Sequence, residues 1–107
     1  MSATDIRDSD SPAIARGFRL QWEPAQSAHV LLYPEGMVKL NGSAGEILRR
    51  CDGVATLAEI VSDLEGAFSR SGLRADVVAF LTLAAERGWV AFRGRDEQAG
   101  AIGDGGE

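Results

Sequence analysis

Near Asn41 the spacing of apolar residues changes from two to about 3.6, and no other feature of the chain narrows its fold as far. Upstream, Phe18, Leu20 and Trp22 alternate with Arg19, Gln21 and Glu23, as in a strand with one face buried. Pro24 to Ser27 interrupts the pattern. The run His29-Val30-Leu31-Leu32-Tyr33 then meets Pro34-Glu35-Gly36, where proline fixes one turn dihedral and glycine accepts a left-handed one. Met37 to Leu40 returns with Val38 and Leu40 on one face. These segments predict a three-stranded antiparallel meander whose third strand is an edge.

Beyond Asn41 the pattern is helical. Ser43-Ala44-Gly45-Glu46 has the spacing of a capping box, which predicts a short helix with Ala44, Ile47, Leu48 and Cys51 on one stripe, ending at Asp52-Gly53. Thr56-Leu57-Ala58-Glu59 repeats the signal and leads Leu57, Ile60, Val61, Leu64 and Phe68 down one face of a second helix. After a polar turn at residues 69–72, Leu73, Val77, Phe80, Leu81 and Ala84 point inward from a third helix that stops at Gly88. Trp89 to Phe92 closes the domain. Strands followed by helices packed on one sheet face is an α+β arrangement, related to a winged helix-turn-helix.

A chain of 107 residues, 45% hydrophobic and 25% charged, has room for one core and the means to fill it. The core is expected over residues 16–92. Residues 1–15 and 93–107 lack a sustained period and are expected to be disordered tails. The N-terminus lacks a signal-peptide pattern, and no apolar run approaches the roughly 18 residues of a membrane span, so a soluble cytoplasmic protein is expected.

Candidates for chemistry are few. His29 is the one histidine and Cys51 the one cysteine. A solitary strand histidine beside Val30 fits a structural role, and a thiol at the end of an apolar stripe fits a small buried hydrophobe. Together they are too few for a zinc site. Asp63 and Glu65 lie on the solvent side of the second helix without a loop of alternating oxygen ligands. No phosphate-cradling glycine motif precedes a helix, and Gly103 to Gly106 belong to the tail. A binding module that is not an enzyme, with no cofactor and no metal, is the expectation.

Nucleic acid is the rival partner, because winged helices often read DNA as regulators. The third helix, however, sets Arg74 and Arg87 against Asp76 and Glu86 with no basic stripe. The formal charge of -5 also repels a phosphate backbone. Arg16, Arg19, Arg49 and Arg50 are either scattered solvated charges or a local basic patch suited to an acidic peptide.

Arg16-Gly17-Phe18-Arg19-Leu20, then Leu31 to Asn41 with its Tyr33-Pro34-Glu35-Gly36 turn feeding Val38-Lys39-Leu40-Asn41, then Ser43 to Leu48, resembles the PqqD family of pyrroloquinoline quinone (PQQ) biosynthesis. The resemblance continues through Cys51-Asp52-Gly53 and the closing Gly88-Trp89-Val90. Gly42 departs from the larger, often acidic residue of that pattern. The resemblance implies a peptide chaperone that binds the precursor peptide PqqA and presents it to PqqE, a radical S-adenosylmethionine enzyme that cross-links a glutamate and a tyrosine within it. It also implies that the peptide adds a strand beside the third strand and first helix. The site so implied comprises Met37, Val38, Lys39 and Leu40 on the strand and Ile47, Leu48, Arg49 and Cys51 on the helix. Backbone bonds along such an edge give affinity, and a groove beside it gives specificity. Leu40, Ile47 and Leu48 are equally explained as core, so Lys39 and Arg49 discriminate best.

Overall fold

A computed structural model describes residues 6–93. Its elements run β1 (Ser11–Ile14), β2 (Arg19–Glu23), β3 (Ala28–Tyr33), β4 (Gly36–Lys39), α1 (Gly42–Leu48), α2 (Leu57–Phe68), α3 (Arg74–Glu86) and β5 (Val90–Arg93). The meander expected from the period-two segments is present as an antiparallel sheet in the order β2-β3-β4. Leu20, Leu31 and Val38 align across its three strands and face the helices. Val30, Leu32, Met37 and Lys39 alternate onto the other face.

The core lies between that sheet face and the three helices. Leu31, Leu48, Leu57, Ile60 and Leu81 are its largest fully buried side chains, and one contiguous cluster joins them to Leu40, Leu64, Val77 and Val90. At roughly 1.5–3 kcal/mol for each large apolar side chain removed from water, this cluster is the main source of stability. Gly45 lets α1 sit down on the sheet, because a Cβ there would come within 2.7 Å of the His29 imidazole.

The second capping box forms as expected: the Glu59 amide donates to Thr56 Oγ1 and the Thr56 amide to Glu59 Oε1. The first does not. Asn41 is the N-cap of α1, its Oδ1 accepting from the Ala44 amide at 2.8 Å, while Ser43 lies inside the helix and donates its hydroxyl to the same oxygen. Glu46 is thereby free to turn toward Arg49 and Arg50. Helix α1 also stops at Leu48, capped by Arg49, rather than at Asp52. Asp52 is drawn away into a β-bridge with Ala13.

That bridge belongs to the largest departure from the sequence reading. Ser11 to Ile14 falls within the expected tail of residues 1–15 but forms β1, antiparallel to β5 with Ile14 opposite Val90. Gly53 donates its amide to Pro12, Leu57 to Asp10 and Ala15 to Trp89, so this segment ties the α1–α2 connection to the end of α3. Its Ser-Pro-Ala-Ile sequence has no apolar alternation because Ser11 and Pro12 are themselves buried, the serine hydroxyl donating to the Val54 carbonyl. Asp8 accepts from the Ala58 amide and pairs with Arg74, and Arg93 ends β5, so these parts of the expected tails are also engaged; residues 1–5 and 94–107 lie outside the described residues.

Candidate functional site

Strand β4 is hydrogen-bonded to β3 on one side and has no strand partner on the other among the described residues. The Leu40 amide donates to the His29 carbonyl, which fixes the phase of the ladder. In an antiparallel pair, alternate residues exchange both backbone bonds. Leu40, Val38 and Gly36 therefore point their amides at β3, and Met37 and Lys39 point theirs at the open edge.

Beside this edge lies a groove of about 1000 Å³. It is lined by Val38 and Leu40 of β4, Ala44 and Ile47 of α1, Leu64 and Phe68 of α2, and Leu73, Val77, Phe80 and Leu83 at and along α3. Trp89 closes it, with its ring 6.5 Å from that of Phe80 and with Arg87 stacked over it. Two apolar side chains that the core does not claim line it: Phe68 is 49% exposed and Leu83 39%. An unpaired strand edge next to an apolar trough is the geometry that accepts an extended peptide.

The eight residues expected at a peptide site divide. Val38, Lys39, Leu40 and Ile47 line the groove, and Met37 stands on the same strand with its backbone at the open edge. Leu48 and Cys51 are core and outside its lining, and Arg49, also outside the lining, pairs at 3.2 Å with Glu46, which does line it. Residues of α1 flank the strand as expected, and α3 adds a second flank through Asp76, Val77, Phe80 and Leu83. Phe80, Leu83, Leu73, Phe68, Arg70 and Trp89 were not among the expected site residues. For Phe80 and Leu83 the sequence offers only a surplus of apolar residues on α3 over one core-facing stripe, which does not tell groove from core.

The two chemically suggestive side chains are packed rather than poised. Cys51 is buried and donates its thiol to the Ile47 carbonyl, and burial, with Asp52 nearby, pushes its pKa up to about 12. A thiol so raised is not a nucleophile at neutral pH. His29 lies between the Trp22 ring, edge-on at 5.0 Å, and the backbone of Gly45. Glu46 is held below the usual carboxylate range by its hydrogen bond from Arg50, against the partial burial that works the other way. Among the described residues no group of three or more His, Cys, Asp or Glu side chains could hold a metal ion, and no helix is long and apolar enough to cross a membrane.

Comparison with known proteins gives the family. The family model for coenzyme PQQ synthesis protein D matches residues 28–90, which span β3 to the start of β5. The chain belongs to the PqqD family. Among its relatives, a PqqA binding protein of Stutzerimonas stutzeri is 50% identical over 84% of this chain and 99% of its own length. One of Azotobacter vinelandii is 54% identical over 84% of this chain and 97% of its own. The fold matches the solution structure of the PqqD portion of Methylobacterium extorquens PqqCD with a TM-score of 0.71 and 29% identity, covering 85% of this chain and 99% of that one. That protein is described as a functional, stand-alone recognition element for ribosomally synthesized and post-translationally modified peptides. The DNA-binding alternative gains no support: Arg74 is paired with Asp8, Arg87 is stacked on Trp89, and the open face of α3 is apolar.

Proposed function

We propose that this chain binds the precursor peptide PqqA as a strand added to β4 and presents it to the radical S-adenosylmethionine enzyme PqqE for glutamate–tyrosine cross-linking, contributing no chemistry of its own. The observation that carries the reading is the open backbone of Met37 and Lys39 running beside an apolar groove. The peptide backbone pairs with those two residues, and its alternate side chains enter the trough between β4 and α3. The names of the relatives support the choice of peptide, since they are PqqA binding proteins. A bound strand is held in one extended conformation, which delivers two distant side chains to an enzyme in a fixed relation and lowers the entropy cost of the second encounter.

Proline tests the backbone. At Met37 or Lys39 it removes an amide aimed at the peptide and is expected to weaken PqqA by roughly 1–3 kcal/mol while leaving the fold nearly intact. At Val38 it removes a ladder bond to β3 and is expected to lower the stability of the protein itself. NMR shifts induced by PqqA should centre on residues 36–40 and on Phe80 and Leu83. Shifts confined to the β2 edge, or an unchanged PqqA affinity in both edge prolines, would sink the strand-addition reading. Presentation is checked separately, by cross-linking with PqqE in the presence and absence of the protein. An undiminished yield in its absence would rule out a chaperone role.

A further inference from the structure

The cations of this acidic chain are unequally engaged. Arg49 and Arg50 both hold Glu46, Arg50 also reaches Asp63, Arg74 pairs with Asp8 at 2.8 Å, and Arg87 stacks 5.8 Å from the Trp89 ring centre. Two basic residues line the groove, Lys39 on β4 and Arg70 in the turn after α2, and neither side chain has an ion pair or hydrogen bond among the described residues. Of the two acids that line it, Glu46 is neutralised by its two arginines, which leaves Asp76. Asp76 sits in the first turn of α3, where the helix dipole already offsets its charge. The Arg70 guanidinium at the groove and the Lys39 ammonium on the other face of the same strand edge are therefore both left uncompensated on a protein whose net charge is -5.

The sheet geometry says where a partner charge must stand. Lys39 lies opposite Val30 in the register, so its side chain is on the sheet face away from the helices, while Val38 and Leu40 face the trough. A residue paired with Lys39 across an added strand shares its face, and that residue's neighbours point the other way. Resting on the strand-addition reading above, we infer that the docked segment alternates apolar residues, facing Val38, Leu40 and Phe80, with a carboxylate beside Lys39, and that a second carboxylate reaches Arg70. The ligand class is an extended apolar–acidic peptide. The same arrangement gives direction to recognition, because an unrelated apolar peptide fills the trough but leaves both cations without partners.

The test measures affinity of the full chain for synthetic PqqA and for a series in which each Asp or Glu is changed in turn to its amide. Lys39→Glu and Arg70→Glu are each expected to weaken PqqA about 3- to 20-fold at low salt, with the loss shrinking toward 0.5 M salt on the order expected from screening. Arg19→Glu is the control. It lies on the same sheet face at the opposite edge, and is expected to change affinity less than about 2-fold, since three strand spacings separate it from the peptide. One acid-to-amide peptide should lose nothing further against Lys39→Glu, and a lysine at that peptide position should restore binding to the variant. If PqqA shifts residues 36–40 in NMR spectra but both reversals stay within about 2-fold, the charge inference is overturned while strand addition stands. If PqqA leaves residues 36–40 unperturbed, both fall together.

Discussion

Helices α2 and α3 are nearly the same length, 12 and 13 residues, and are used in opposite ways. On α2 the apolar residues Leu57, Ile60, Val61 and Leu64 form one stripe that is wholly buried, and a capping box fixes its start. On α3 only Val77, Leu81 and Ala84 are buried, yet Val78, Phe80, Leu83 and Ala85 are apolar too, and its N-cap residue, Leu73, supplies no capping side chain. A helix that served the core alone would carry polar residues at those positions. Of that surplus, Phe80 and Leu83 line the groove, while Val78 and Ala85 pack at the margin of the core. The difference shows how a small domain builds a binding surface: one helix is spent on stability, and another divides its circumference between the core and a ligand.

Truncations that separate the two faces of α3 provide the largest expected effect. Leu81 is 0% exposed, and Leu81→Ala is expected to lower stability by about 2–5 kcal/mol, as should Ile60→Ala on α2. Chemical denaturation measures both. If Leu81→Ala costs less than about 1 kcal/mol, α3 is not part of the core and the comparison fails.

Second in size are substitutions on the groove side. Leu83→Ser should reduce PqqA affinity by about 1–2 kcal/mol, with a change in folding stability below about 1 kcal/mol. Phe68→Ser should do the same, because Phe68 is the exposed apolar residue of α2 and lies at the groove rather than over the core. Calorimetric titration and thermal melting of the same variants separate the two quantities. A pair of variants that lose stability and affinity in proportion would mean that this surface is simply a loosely packed part of the core.

How much of this was legible in the sequence differs between fold and site. The switch of period at Asn41 located the sheet, the three helices and most of the core, since burial of one face dictates both periods. Phe68 was read as one more core residue because periodicity reports a face, not how far along the helix the core extends. Strand β1 was hidden because its sealing contacts are made by Pro12 and Ser11, neither of which announces a strand. The first cap was misplaced by two residues because both Asn41 and Ser43 have capping side chains, and only the geometry after β4 decides between them. For the site, the β4 half was readable from the edge strand. The α3 half was not, because apolar residues bound for a ligand look the same in a sequence as those bound for the interior.

A third contrast between the helices is at their starts. Thr56→Ala removes the side chain that closes the capping box of α2 and is expected to cost about 0.5–2 kcal/mol. At the start of α3 the Leu73 amide donates instead to Glu65 Oε2, a side chain of α2, so α3 borrows its cap from its neighbour. Glu65→Ala should therefore speed hydrogen exchange in the first turn of α3 while leaving the first turn of α2 protected. Equal protection in both helices would show that α3 starts firmly without the borrowed carboxylate.

The smallest effect expected concerns acid, and it separates how the two helices are tethered. Helix α2 is tied to α1 through Arg50, which binds both Glu46 and Asp63, whereas the ion pair on α3, Arg74 with Asp8, is exposed on both sides. Because Glu46 is held below its ordinary value of 4.5, chiefly by Arg50, the folded protein binds that proton less readily than the unfolded chain. Its contribution to stability is thus complete above the unfolded value and disappears as pH falls through the lower folded one. Glu46 is a third exposed, so solvent screening keeps the contribution to about 0.2–1 kcal/mol. Denaturation midpoints measured from pH 7 down to pH 2 should fall less steeply below pH 4.5 in Glu46→Gln than in the unaltered protein, with the difference shrinking in high salt. The matching substitution Asp8→Asn should leave that slope almost unchanged. Should Asp8→Asn flatten the acid limb as much as Glu46→Gln does, the two tethers would be equivalent, and α3 would be held to the core as tightly by charge as α2 is.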